Sequence, residues 1–126
     1  MPTRTEDIAA QGPYGGYAAA QTATIANGAS LSGAIDMGPL RPAWLQMPAS
    51  WTAAAITFQV SYDAVTFQDF YKDDGTEYSV TVAASHAVKL AIADFLGVRA
   101  IKLRSGTGGT PVNQAAARDI PVVLVP

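Results

Sequence analysis

"ITFQVSYDAVTFQDFYKDDGTEYSV", residues 56–80, decides how the chain is read. Ile56, Phe58, Val60 and Tyr62 fall on one parity, and Thr57, Gln59, Ser61 and Asp63 on the other. Strict alternation over this length is the mark of a strand buried on one face only. Asp63-Ala64 breaks the run, and Val65, Phe67 and Asp69 resume it, as in two antiparallel strands joined by a tight turn. Asp73-Asp74-Gly75-Thr76 is a second turn signal, after which Tyr78, Val80 and Val82 begin another alternation.

The same grammar extends both ways along the chain. Thr22 to Ile25, the Asn27-Gly28 turn, and Leu31, Gly33, Ile35 and Met37 on one parity read as an opening pair of strands. In "GPLRPAWLQMPASWTAAA", residues 38–55, Pro39, Pro42 and Pro48 forbid a long helix and mark the ends of a strand. Ala91 to Phe95 suggests one helical turn, and Arg99, Ile101 and Leu103 then alternate with Ala100, Lys102 and Arg104 as a further half-buried strand. "SGTGGTP", residues 105–111, reads by composition as a flexible loop; it lacks the lysine and following helix of a phosphate-binding loop. Ile120, Val122 and Leu124 alternate to the end, with Pro121 suited to an edge or a strand start. Seven or eight short strands separated by turns predict an all-β fold: a single antiparallel β-sandwich over residues 21–126, with Ile56, Phe58, Val60, Ile101, Leu103 and Val122 in one core. Residues 1–20 mix proline, glycine and alanine with Tyr14 and Tyr17 and show neither period; they read as an extended N-terminal arm.

Composition narrows the function. The 126 residues suffice for one core and not for two. Eight basic against ten acidic residues, with only 14% charged, provide no field to gather phosphates, so direct binding to nucleic acid is not expected. With no cysteine, thiol catalysis, thiolate-held zinc and disulfides are all excluded. The start has no apolar core of a secretory signal, and no stretch of about 18 uninterrupted apolar residues follows, so neither export nor a membrane is expected. A hydrophobic content of 49% with so few charges points to surface covered by other protein.

Reactive groups are sparse. The only histidine, His86, has no motif around it and reads as a surface residue rather than a catalytic base. Asp63, Asp69, Asp73, Asp74 and Glu77 form the one acidic concentration, but their spacing is not that of a calcium loop, and turn formation accounts for them. No enzyme, metal or cofactor is expected. Trp44 and Trp51 are candidates for stacking on a sugar, weighed against the commoner role of capping a sandwich core. Tyr14, Tyr17 and Arg41 are the candidates for contact with neighbouring subunits.

Through Thr22 to Val125 the chain resembles a family of small proteins met among the head genes of tailed bacteriophages and prophages. The resemblance is most specific at Trp51-Thr52, Phe58, Ser61, Asp63, Phe67, Gly97-Val98-Arg99 and Ile101 to Thr107. The order of elements is also similar, more loosely, to the discoidin type of galactose-binding-like β-sandwich, in which a strand ending in Ser-x-Asp-Gly turns into Thr-Phe. Ala64 stands in the glycine place, and alanine resists positive φ. The resemblance implies a jelly-roll or discoidin-like fold and a virion structural protein: a homo-oligomeric decoration or cement protein on the capsid surface, bound over major capsid protein junctions and made in the host cytoplasm. The alternative it leaves is a head-spike, fibre-base or tail adsorption module that holds a host glycan.

Overall fold

The computed structural model describes residues 19–126. The arm proper, with Tyr14 and Tyr17, lies outside the described residues, and the first strand already begins at Ala19. Nine strands follow: β1 (Ala19–Ile25), β2 (Ile35–Asp36), β3 (Arg41–Gln46), β4 (Ile56–Ser61), β5 (Gln68–Asp69), β6 (Ser79–Val80), β7 (Ala87–Lys89), β8 (Ala100–Ser105) and β9 (Arg118–Val125). A single 3-10 turn, Ile92–Phe95, interrupts them where the sequence suggests a helical turn. All pairings are antiparallel. One sheet has the order β1-β9-β3-β7; the other runs β2-β8-β4, with β5 and β6 pairing successive parts of the free edge of β4.

Both sheets feed one core, as the alternating parities require. Ile25, Leu45, Ile120, Val122 and Leu124 come from the first sheet, and Ile35, Ile56, Phe58, Ile101 and Leu103 from the second. Burying each such side chain contributes roughly 1.5–3 kcal/mol, so this shared apolar layer holds the sheets together. Phe95, from the 3-10 turn, joins the same core with its ring 5.4 Å from that of Phe58. Val60 is only partly buried, and Tyr62, assigned by parity to the buried face, stands 81% exposed because β4 ends at Ser61.

Several expectations about pairing need correction. β1 and β2 do not form a hairpin. Although Asn27-Gly28 does turn, β1 pairs β9 and β2 pairs β8, in different sheets. β9 is an interior strand, so Pro121 is not at an edge; it lies opposite Thr22, one residue beyond Val122, the last β9 partner of β3. Pro42 sits inside β3, where the ladder to β9 slips by a bulge and before pairing with β7 begins at Trp44, so its missing N–H falls at an irregularity.

The outward parity of the second sheet is not a solvent face. Thr57, opposite Arg104, is fully buried and donates its hydroxyl to the Gly106 carbonyl at 2.7 Å. Residues 105–111, expected to be flexible, fold back over this face. Gly106 N–H donates to Ala55 O (2.8 Å), Thr107 N–H to Thr110 O (3.1 Å), and Val112 N–H to Ser105 O (2.9 Å). Gly106 has φ +88°, and a Cβ there would lie 2.5 Å from Thr110 O and 2.7 Å from Val112 N, so no side chain fits. Gln114, 1% exposed, completes the closure: its amide donates to Thr52 O and Ser105 Oγ, and its carbonyl accepts from Thr52 N–H and Arg118 Nε.

Candidate interaction surfaces

The turn after β4 is built around two side chains. Ser61 Oγ donates to Asp63 Oδ1 (2.8 Å) and accepts the Ala64 N–H (2.9 Å), while Asp63 Oδ1 accepts the N–H groups of Val65 and Thr66, both at 2.9 Å. Those two backbone donors, with Ser61, hold the Asp63 carboxyl down at about 2. The turn requires φ +62° at Ala64, so alanine does adopt the conformation it resists. The result is a stiff loop that holds Tyr62 and Val65 (80% exposed) in solvent.

Leu96, 61% exposed, follows the 3-10 turn at the same end of the molecule. Arg99 N–H donates to Ser61 O (3.0 Å), and Gly97 and Val98 share a groove of about 340 Å³ with Val60, Tyr62 and Thr66. A neighbouring depression joins Gly97 and Val98 to Leu40 and Arg41. Arg41, a candidate contact residue, donates from Nη2 to Pro126 O (3.1 Å), and its Nε is buried without a hydrogen-bond partner among the described residues. Arg99 forks onto Asp36 at 3.2 and 3.0 Å, both half exposed, which holds the Asp36 carboxyl below its usual range, although water screens so exposed a pair. β1 starts at this end too, since Ala19 and Pro42 both face Leu124 in adjacent ladders.

The acidic concentration divides by role. Asp63 and Asp74 shape turns, as the sequence suggests, with Asp74 Oδ1 accepting from Thr76 N–H and Oγ1. Asp69 and Glu77 do something else. Both grip Arg104, which at 7% exposure is buried on the outward side of β8: Nη2 meets Asp69 Oδ1 at 2.5 Å and Nη1 meets Glu77 Oε2 at 3.1 Å. Gln59 Nε2 donates to Asp69 (3.2 Å), and Gly108 N–H donates to Glu77 (3.1 Å). The guanidinium holds the Asp69 carboxyl below the ordinary carboxylate range. A Cβ on Gly108 would lie 2.7 Å from Asp69 Oδ2, so the loop approaches the cluster as closely as a glycine allows. Arg104, Asp69 and Glu77 are each held by more than one hydrogen bond, which makes the cluster a clamp between β8, the 69–77 segment and the 105–111 loop.

Beside the clamp, Phe70, Tyr78, Phe95 and Phe58 form a ring cluster with centroid separations of 5.2–5.8 Å. Tyr78 OH donates to Asp94 Oδ2 at 2.9 Å, and burial together with that carboxylate pushes the phenol up to about 12. Phe70, Tyr78 and Asp94 line an open cleft with Tyr71, Lys72 and Asp73.

The two tryptophans are not brought together. Trp44 lies half-buried on β3, between Lys89 of β7 and Val123 of β9. Trp51, in the β3–β4 connection, packs against the core and donates from Nε1 to Ala54 O (3.1 Å), beside a shallow depression walled by alanines 53–55, 83 and 84. His86 is exposed, immediately before β7. Among the described residues no three His, Cys, Asp or Glu side chains are grouped to hold a metal ion. No protein-family model, curated protein or solved structure matches the chain.

Proposed function

We propose that the chain is a structural protein of a tailed-bacteriophage virion, a decoration or cement protein that binds over junctions of the major capsid protein as a homo-oligomer and stabilises the head. In this reading it performs no catalysis, and its sandwich is of the discoidin-like, jelly-roll kind. The assignment to a virion rests on the resemblance in sequence. The observation that supports a cementing role is the placement of Tyr62, Val65 and Leu96: three exposed large apolar side chains, on hydrogen-bonded turns, at the end of the molecule where β1 begins. Apolar groups fixed in solvent at one end are what a protein interface buries at its centre. The reading also assigns contact with a neighbouring subunit to residues 1–18, which precede β1 in the sequence.

The test uses heads of the encoding phage assembled without this protein. Purified protein added back should bind and raise the temperature at which heads release DNA. A Tyr62→Ser/Val65→Ser/Leu96→Ser variant should unfold at the wild-type temperature yet bind poorly, as should a chain lacking residues 1–18. Full occupancy by both variants refutes the reading. Heads that are equally stable without the protein but attach poorly to host cells favour an adsorption module instead.

A further inference from the structure

We propose that the cleft between the 70–78 segment and the 3-10 turn is a binding site for a neutral saccharide, a site independent of the cementing role. Its volume of about 370 Å³ is of the size that holds a small ligand, and its lining is Phe70, Tyr71, Lys72, Asp73, Tyr78 and Asp94. A pyranose presents two kinds of surface, an apolar face of C–H groups and a periphery of hydroxyls that each donate and accept. The cleft offers a complement to both.

Three of its six residues are aromatic, and two of them are locked. Phe70 and Tyr78 lie 5.2 Å apart and each sits 5.5 Å from Phe95. Tyr78 is further fixed by its hydroxyl on Asp94. Rings held in this way lose little freedom when a ligand covers them. Tyr71 stands outside that stack and is 54% exposed, an apolar face left in water beside the cleft. The polar residues supply both hydrogen-bonding senses. Asp94 takes the Tyr78 hydroxyl on Oδ2 and retains Oδ1 as an acceptor, Asp73 adds a second carboxylate, and Lys72 adds a donor. Lys72 is only loosely drawn to Asp74, at 3.9 Å with both side chains half exposed or more.

Charge and polarity select the ligand class. Two carboxylates against one ammonium disfavour phosphates, nucleotides and acidic sugars. A hydrocarbon would cover Lys72, Asp73 and Asp94 without satisfying them. A neutral sugar ring satisfies both. The tryptophans, to which residue type alone assigns stacking, lie elsewhere; the aromatic residues that line this cleft are Phe70, Tyr71 and Tyr78.

The experiment is saturation-transfer NMR and calorimetry on the full chain with a panel of neutral hexoses, N-acetylhexosamines and their disaccharides, with sialic acid and inorganic phosphate for comparison. At least one neutral sugar should bind saturably with a dissociation constant of about 1 mM or below. Tyr71→Ala and Asp94→Asn should each weaken it about tenfold or more. Tyr71 is exposed, so its variant should keep the wild-type unfolding midpoint, and Trp44→Ala and Trp51→Ala should keep wild-type affinity. No saturable binding across the panel overturns the proposal. So does sugar binding that survives Tyr71→Ala and Asp94→Asn, or a preference for phosphate or sialic acid.

Discussion

Replacing Arg104 by methionine tests whether the outward side of the second sheet is a covered interior. The substitution keeps an unbranched apolar stem and removes the guanidinium, leaving Glu77 with only the Gly108 N–H and Asp69 with only the Gln59 amide. The side chains of Arg104 and Glu77 are 8% and 14% exposed, so this pair is buried; Asp69, at 34%, is partly relieved by water. Removing one partner of a buried pair costs about 3–5 kcal/mol, whereas an exposed pair costs about 1 kcal/mol or less. The lower half of the buried range is the appropriate expectation here, because Asp69 is partly solvated. With a urea m-value of about 1.5–2 kcal/mol/M, the unfolding midpoint should fall by roughly 2 M. Most of that loss comes from two uncompensated carboxylates rather than lost packing. Adding Asp69→Asn and Glu77→Gln to Arg104→Met should therefore recover a substantial part of it. A single variant that loses less than about 1 kcal/mol, or a triple variant no more stable than the single, refutes the account of the clamp.

Two further outcomes test the turn after β4. Ala64→Gly should stabilise the protein: the left-handed conformation costs an alanine roughly 1–2 kcal/mol, glycine's greater unfolded freedom returns about 0.5–1, and a net rise in the thermal midpoint follows; a fall would refute the strained geometry. Asp63 has a folded pKa of about 2 against an ordinary 3.8, so the stability it contributes is complete above 3.8 and is lost as pH falls towards 2. Urea midpoints measured from pH 6 to 2 should fall less steeply in Asp63→Asn, whose amide oxygen still accepts the Val65 and Thr66 N–H groups; an unchanged slope would assign the acid sensitivity to other carboxylates, Asp69 among them.

What the sequence discloses depends on whether the deciding contact is local. The inward residues of β4, β8 and β9 are legible because large apolar side chains recur at period two, and the turns at Asp63-Ala64 and Asp73 to Thr76 because short polar residues and glycine have few other uses there. Pairing is another matter. The Asn27-Gly28 turn is real, but β1 reaches across to β9, and no pattern near residue 28 says so. Arg104 shows the same limit. Alternation correctly turns it away from the core, but its partners come from 27 and 35 residues away, and they convert an outward position into a buried one. For the cleft, a usable signal was present. Phe70, Tyr71 and Tyr78 interleave with Lys72, Asp73 and Glu77 around one turn, a closer association of aromatic and polar groups than either tryptophan has with its neighbours.

That interleaving also explains why the clamp and the cleft are parts of one device. Asp69 immediately precedes Phe70, and Glu77 immediately precedes Tyr78. Side chains alternate sides along extended chain, so a guanidinium that fixes Asp69 and Glu77 on one side sets the backbone from which Phe70 and Tyr78 project on the other. The two segments are tied to each other as well, by Tyr78 N–H to Phe70 O at 2.8 Å. Phe70 N–H in turn donates to Phe58 O at 3.0 Å, anchoring the pair to β4. Short segments such as β5 and β6, two residues each, have too few ladder bonds to hold such positions alone. Arg104 supplies the missing constraint from the neighbouring strand. Loss of Arg104 therefore acts twice, on global stability through the uncompensated carboxylates and on the cleft through the freedom it returns to Phe70 and Tyr78. The second effect separates from the first in a protein that still folds: in Arg104→Met with Asp69→Asn and Glu77→Gln, sugar affinity should stay below wild type even where stability recovers, because neutral amides do not restore the grip of one rigid fork on two strands.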